Sequence, residues 1–599
     1  MENNYMRMLL KLHYFSIVFI ALLLNSCSKP EGNNAQNQTN IGTKPEKGDW
    51  IIIHQLSDPE GLNPITTSDA GARNVFSKIF ENLLDIDYAT SQLIPNIASS
   101  LPTISDDHLT YTFKLKNNVK FSDGKPLTAK DVVFTMKAVK NPLLIDGAAL
   151  RNYYESLVDV TSPDDYTVIM TLNKPYFIAN YVLGNNVPIF PKHIFDPNNL
   201  TDKYTFAETN SLEKAQTNSA MKEFAEWFGS SERKRDVKTM VGSGPYILEE
   251  WRTGESIRLK RDDNYWNGSN NPNALSYPDK LVFKTVNDRN TALTTMKNQA
   301  LDFIEYMPPK LYVESLDTSS IPFLKKTSYT YPVYSYIGWN ASRPIFADKR
   351  TRQALSHLVD RDRLIKSVML GFAVPTSSPV DYHLPEYNKD LPVYDYNTDK
   401  AKKLLTEAGW GDSDNNGILD KMINGKKVDF SFIFMVNQGN EMRQNIAIIL
   451  RDEFKKVGIN VEVQPIDWSV FLENSKAHQF DAYIGAWVQD PQPPDLFQLF
   501  HSSQIANRGS NYVGFNSKKA DDLIEGIRLE FDAKKRTDML MELQRVISDE
   551  QPYTFLWNVV NPAVYHKRIQ GVKFYMPRPG YNPNEWWVPK TMQKYNSAN

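Results

Sequence analysis

Residues 428–488 read "VDFSFIFMVNQGNEMRQNIAIILRDEFKKVGINVEVQPIDWSVFLENSKAHQFDAYIGAWV", and they alternate between strand and helix periods. The apolar run 428–436 suits a strand. Over 441–458, Met442, Ile446, Ile449, Leu450 and Phe454 fall at helical spacing, and the run stops at Gly458. Residues 459–466 return to strand, 469–477 to a short helix, and 480–488 to a third strand. This β-α-β-α-β order predicts parallel strands joined by right-handed crossovers, hence an α/β fold. Ligands of open sheets gather beyond the C-terminal strand ends. Topology alone therefore singles out "NQGNEM" (437–442) and "QDPQPPDLFQLF" (489–500) as cleft loops.

Upstream, Leu109, Tyr111, Phe113 and Leu115 alternate with polar residues, and "YTVIMTL" (166–172) does the same. "FSDGKP" (121–126) is a turn by its Asp-Gly and Pro content, after which Thr128 caps a helix carrying Val132, Val133 and Met136. Residues 201–240 are rich in Lys and Glu without strand signals, which predicts a mostly helical insertion. "GSGP" (242–245) sets a serine between glycines, but the following Pro and Tyr suit a turn entering a strand.

One cysteine, Cys27, occurs in 599 residues. Before it come Arg7 and Lys11, an apolar stretch densest from Ile17 to Leu24, and then Leu24-Asn25-Ser26. The apolar part has the length of a signal-peptide core and is too short to span a bilayer. The pattern resembles the lipobox of bacterial lipoproteins, which implies lipidation at Cys27. The bare residues also allow an incidental thiol after an ordinary signal, or an uncleaved anchor. Residues 27–48 are polar and read as a flexible tether.

The net charge of −2 gives no basic stripe, so nucleic-acid binding is not expected. Aromatic residues reach 12%, which suits a cleft that grips ligands as well as a core. No zinc-protease, nucleophile-elbow, phosphate-loop or Cys-x-x-Cys motif occurs, so no catalytic residue and no cofactor are expected. "DSDNNGILD" (412–420) follows the order of a calcium loop through Asp412, Asp414, Asn416 and Gly417, but its twelfth position is Ile423 rather than Glu. A tight Asp/Asn/Gly turn accounts for it, and no metal site is expected.

Several stretches then fall together in one order: "PEGLNP", "FENLLDID", "TYTFKLKNNVKFSDGKPLTAKDVVFTM", "GSGPYIL", "RTRQALSHLVDRDRLI", "AKKLLTEAGW", "DAYIGAWVQDPQPPD" and "QRVISDEQPYTFLW". From about residue 50 to 590 the chain resembles the oligopeptide- and dipeptide-binding proteins of ABC importers, extracellular solute-binding protein family 5. The resemblance implies a periplasmic-binding-protein-like α/β fold of class II (cluster C). Its two lobes meet at a hinge, and its three domains carry mixed sheets flanked by helices. The expected division is signal peptide 1–26, tether 27–48, domain I over 49–88, 241–308 and 561–599, domain II over 89–200, insertion 201–240, and domain III over 309–560.

It further implies a monomeric, lipid-anchored, periplasmic receptor that closes on short peptides, delivers them to a permease and its ATPase, and breaks no bond. In such receptors an aspartate of a Trp-x-x-Asp segment holds the peptide ammonium, here Trp487 and Asp490. A carboxylate meeting an ammonium in a closed cleft is a charge-assisted hydrogen bond in low dielectric. An Asp-Pro turn reads the same way. Arg443, near the start of the helix ending at Gly458, is the candidate for the peptide carboxylate, and an exposed helical arginine is the alternative. Thr67, Ser68, Tyr336, Trp339 and Asn340 complete the candidate set, with Trp339 and Trp487 equally readable as core. Family membership alone leaves open an oligosaccharide or metal-chelate ligand. A secreted hydrolase is the reading from another class.

Overall fold

The computed structural model describes residues 44–67, 69–268, 275–489, 493–506 and 509–595. The expected signal peptide, Cys27, most of the tether, Ser68 and Asp490 lie outside them.

The segment 428–488 folds in the order its periods demand. Strand Ser431–Asn437 pairs in parallel with Asn460–Ile466 on one side and Ala482–Val488 on the other. Helices Glu441–Lys455 and Trp468–Lys476 make the crossovers. Asn440 caps the first helix by accepting from the Arg443 amide at 3.0 Å. Ile446, Ala447, Leu450 and Phe454 are its buried stripe. Gly458 ends it at φ +80°, where a Cβ would approach the Leu419 side chain and the Gly417 carbonyl at 3.2–3.3 Å. Both faces of this sheet are covered. Phe434 and Ile484 enter one apolar cluster, and Met435 and Tyr483 enter another on the opposite face.

These strands are one end of an eleven-stranded mixed sheet. At the other end, Trp50–Gln55 pairs in parallel with Lys280–Thr285, which continues into the antiparallel strands Ser256–Arg261 and Tyr246–Arg252. Two long antiparallel strands, Leu324–Trp339 and Tyr553–His566, connect the ends. Residues 324–330 pair with 560–566, the register shifts between Thr330 and Tyr334, and residues 334–338 then pair with 553–558. The expected domain boundary at 560/561 falls inside the second of these strands.

A separate antiparallel sheet contains Thr103–Ile104, Thr110–Lys114, Thr167–Leu172 and Leu157–Asp164. It shares an apolar core with the strands around Ile51 and Leu281. The helix expected after Thr128 spans Ala129–Lys140, with the Thr128 amide donating to Asp131 Oδ2 at 2.9 Å. Residues 201–240 are helical as expected. Met221, Phe224 and Phe228 from Ser219–Phe228 are buried, and Phe224 and Phe228 pack edge-on against Phe134.

Candidate functional site

A cavity of about 660 Å³ opens where the parallel strands end, between the 428–500 region and residues 64–188. Of the two loops picked out by topology, the second contributes Gln489, Pro493, Pro494 and Asp495 to its wall, whereas the first lends none of its own residues and is followed by Arg443, which does line it. Helix Trp468–Lys476, beyond the end of strand Asn460–Ile466, adds Trp468 and Phe471, whose rings stack at 5.3 Å. The same topological signal would have found Trp468 from the sequence.

Arg443 is held by its Nη1, which donates to Asn437 Oδ1 at 2.9 Å. Among the described residues no carboxylate lies within ion-pairing distance of its guanidinium. Burial pulls its pKa below the ordinary value, and nearby Tyr336, Tyr483 and Tyr306 offset this in part. An arginine stays charged in such a setting, so the cavity wall carries a cation that no described carboxylate pairs.

Tyr336 lines the cavity from strand Leu324–Trp339, and its hydroxyl meets that of Tyr483 at 2.9 Å. Gly485 is required beneath them, because a Cβ there would come within 2.8 Å of both rings. Trp487 lines the cavity half-buried, with Nε1 donating to the Tyr553 hydroxyl at 3.3 Å. Thr67 also lines it, and its hydroxyl accepts from the Asp69 amide at 3.3 Å.

Two expected site residues lie elsewhere. On the strand, Tyr334 and Tyr336 face the cluster beside the cavity, whereas Ile337 and Trp339 face the opposite one. Period-two alternation therefore turns Trp339 into the core, where it packs among Phe346, Phe432 and Phe434 and donates to Thr554 Oγ1 at 2.9 Å. Asn340 is consumed by local backbone: its amide donates to the Phe480 carbonyl at 2.8 Å and its oxygen accepts from the Ser342 amide at 3.1 Å.

The wall from 64–188 supplies charges that sequence reasoning missed, among them Lys78, Glu81 and Asp85. Glu81 accepts from the Tyr265 hydroxyl at 2.6 Å and from Trp266 Nε1 at 2.8 Å, and burial pushes its carboxyl up to about 7. Asp495 joins the two walls. It accepts from the Tyr176 hydroxyl and forms an ion pair with Arg528 Nε at 3.2 Å. Arg528 in turn lies 4.4 Å over the Tyr176 ring, and its carbonyl accepts from the Phe177 amide at 3.0 Å.

The acidic turn at 412–420 brings carboxylate oxygens of Asp412, Asp414 and Asp420 within 4.8 Å of one another. Lys427 pairs with Asp414 and lies 3.8 Å from Asp420, while Asp412 accepts from the Asn416 and Gly417 amides. Its ordinary turn contacts account for these residues.

A family model described as bacterial extracellular solute-binding proteins, family 5 Middle, matches residues 92–507. The chain belongs to this family. Among curated relatives, the oligopeptide-binding protein AppA of Bacillus subtilis is 31% identical over 582 residues, covering 96% of this chain and 98% of that protein. The dipeptide-binding protein of Escherichia coli is 26% identical, covering 88% and 92%. Among solved structures, AppA from Bacillus subtilis in complex with a nonapeptide superposes with a TM-score of 0.77 at 30% identity, covering 91% of this chain and 100% of that one. NikZ from Campylobacter jejuni, in complex with Ni(L-His), shares the fold at a TM-score of 0.74 and 23% identity. Among the described residues no helix is long and apolar enough to cross a membrane.

Proposed function

We propose that this protein is a receptor for short peptides, held outside the cytoplasm by a lipid on Cys27, which hands its cargo to an ABC permease. The observation that carries this reading is the cavity at the parallel strand ends with a guanidinium in its wall, Arg443, that no carboxylate among the described residues pairs. A half-buried cation that no carboxylate among the described residues pairs suits a ligand carboxylate. The similarity to an oligopeptide-binding protein along 96% of the chain supports a peptide as the carrier of that carboxylate. Asp490, outside the described residues, is the proposed partner of the peptide ammonium. Closure would come from the ligand's greater affinity for the joined lobes, with no bond made or broken.

Native mass spectrometry of the unlipidated body, purified from cells and then released from bound ligand, tests this. A ladder of co-purified peptides, lost in the Asp490→Ala variant, is the expected result. A single non-peptide mass, such as a metal chelate or oligosaccharide, would overturn the ligand class while leaving the receptor fold in place.

A further inference from the structure

Lys78 is 4% exposed, yet it lines the cavity. It sits just past helix Ala70–Phe76, and its backbone is clamped. Its amide donates to the Val75 carbonyl at 3.1 Å, and its carbonyl accepts from the Tyr246 amide at 3.0 Å. The "GSGP" turn presses on the same place, since a Cβ on Gly244 would lie 2.6 Å from the Lys78 carbonyl oxygen. A Cβ on Gly242 would lie 2.0 Å from that of Ile79. These glycines thus serve to pin a lysine into the cavity wall.

The ammonium is poorly served by the protein. Its Nζ donates to Asn582 Oδ1 at 3.4 Å, and among the described residues no carboxylate lies within 4.0 Å of it. Lys137 and Lys140 show the contrast. Lys137 donates to the Thr201 and Tyr204 carbonyls at 2.7 Å, and Lys140 to the Tyr154 carbonyl at 2.9 Å. The acids nearest Lys78 are engaged elsewhere. Glu585 accepts from the Tyr575 hydroxyl at 2.7 Å and from Asn582 Nδ2 at 3.2 Å, and Asp85 accepts from the Ile86 amide at 2.8 Å. Burial pulls the Lys78 amine down to about 8, as it does that of Lys140, with Asp85 and Glu585 offsetting only part of the cost, so it is the missing partner and not the titration that sets Lys78 apart.

Lysines are almost never fully buried without a partner. A rigidly held one in a ligand cavity calls for an anion from the ligand. We infer that Lys78 is an acid-selecting subsite, which takes an Asp or Glu side-chain carboxylate of a bound peptide, distinct from the carboxylate met by Arg443. The inference rests on the peptide reading above.

The test is isothermal titration calorimetry with matched peptides in which each position in turn is Glu or Gln, on wild type, Lys78→Met and Lys78→Arg. At one position the wild type is expected to bind Glu over Gln by at least tenfold. Lys78→Met should lose that preference while holding the Gln peptide within about threefold of wild type, and Lys78→Arg should keep a preference. Equal binding of Glu and Gln peptides at every position, or a preference that survives in Lys78→Met, overturns the inference and leaves the peptide reading intact. Failure of every peptide to bind would overturn the peptide reading and this inference with it. A crystal structure of the wild type with the preferred Glu peptide gives a check independent of the variants: the Glu carboxylate should lie within hydrogen-bond distance of Lys78 Nζ, and any other placement sinks the assignment.

Discussion

Arg568 and Lys78 are buried cations and Arg443 is a half-buried one, but the protein treats them differently. Arg568 lies 1% exposed and is fully met: Nε donates to Asp302 Oδ1 at 2.8 Å, Nη2 to the Trp50 carbonyl at 2.7 Å, and Nη1 to Asp49. The carboxylates are saturated too. Asp302 accepts from the Ile52 amide at 2.9 Å, and Asp49 accepts from the Lys594 and Tyr595 amides at 3.1 and 2.8 Å. This network ties residues 49, 302 and 568, distant in the chain, into one lobe. Among the described residues, Arg443 and Lys78 have amide oxygens and no carboxylate. A buried cation completed by the protein holds the fold, whereas one left incomplete in a cavity wall is completed by the ligand.

The largest effect should come from breaking the completed network. Asp302→Ala leaves Arg568 short of its partner and should destabilise the protein by about 3–5 kcal/mol, read from urea unfolding. Stability within about 1 kcal/mol of wild type would erase the distinction between the two kinds of cation. Arg443→Met should do the reverse. Ligand binding should weaken by about 2–4 kcal/mol, as for truncating one side of a buried charge pair. Its melting temperature should equal or exceed that of the wild type, because a half-buried charge that no described carboxylate pairs is removed. A fall in melting temperature with affinity unchanged would make Arg443 another structural arginine.

Asp495 is an intermediate case, completed by residues of both lobes. Asp495→Asn keeps the shape but weakens the link to Tyr176 and Arg528. It should cost about 1–3 kcal/mol of the closed state, seen as a larger radius of gyration by X-ray scattering at saturating ligand. An unchanged radius would show that the link is dispensable for closure.

The smallest effect is that of pH on the lobe held by Arg568. His54 Nε2 donates to the Val286 carbonyl at 2.9 Å, and burial together with Arg289 lowers its pKa to about 4. Its folded pKa lies below the ordinary value of about 6.5, so the unfolded chain takes up the proton first as pH falls. Its contribution should be fully present above pH ~6.5 and decline toward pH 4. The wild-type urea midpoint should fall over that interval, and the slope should be shallower in His54→Gln. Equal slopes would remove His54 from the account.

Legibility followed the range of the forces involved. The run 428–488 could be read element by element because each segment buries its own stripe against the same sheet. Ile446, Leu450 and Phe454 declare one helix face whatever they pack on. The crossover rule then placed the second cleft loop, and Arg443, Trp487 and Tyr336, which the family resemblance supplied, do line the cavity. Trp339 shows where the signal ends. An aromatic three residues from Tyr336 sits on the other face of the strand, and only the pairing with Tyr553–His566 reveals which face looks into the cavity. Lys78 was invisible for a related reason. Its meaning depends on a missing partner, and an absence appears only when residues 85, 582 and 585 are folded around it.

By itself, the sequence determined the elements of the α/β lobe, their parallel order and the end of the sheet at which a ligand would lie. These follow from local periodicity, glycine stops and the handedness of crossovers, all written within a few dozen residues. The tertiary structure alone decided that Leu324–Trp339 and Tyr553–His566 join both lobes into one sheet. It also decided which charges are neutralised within the protein and which are left for a ligand. Those outcomes depend on contacts between residues hundreds of positions apart, whose free energy is set by burial and by partners that no local pattern encodes.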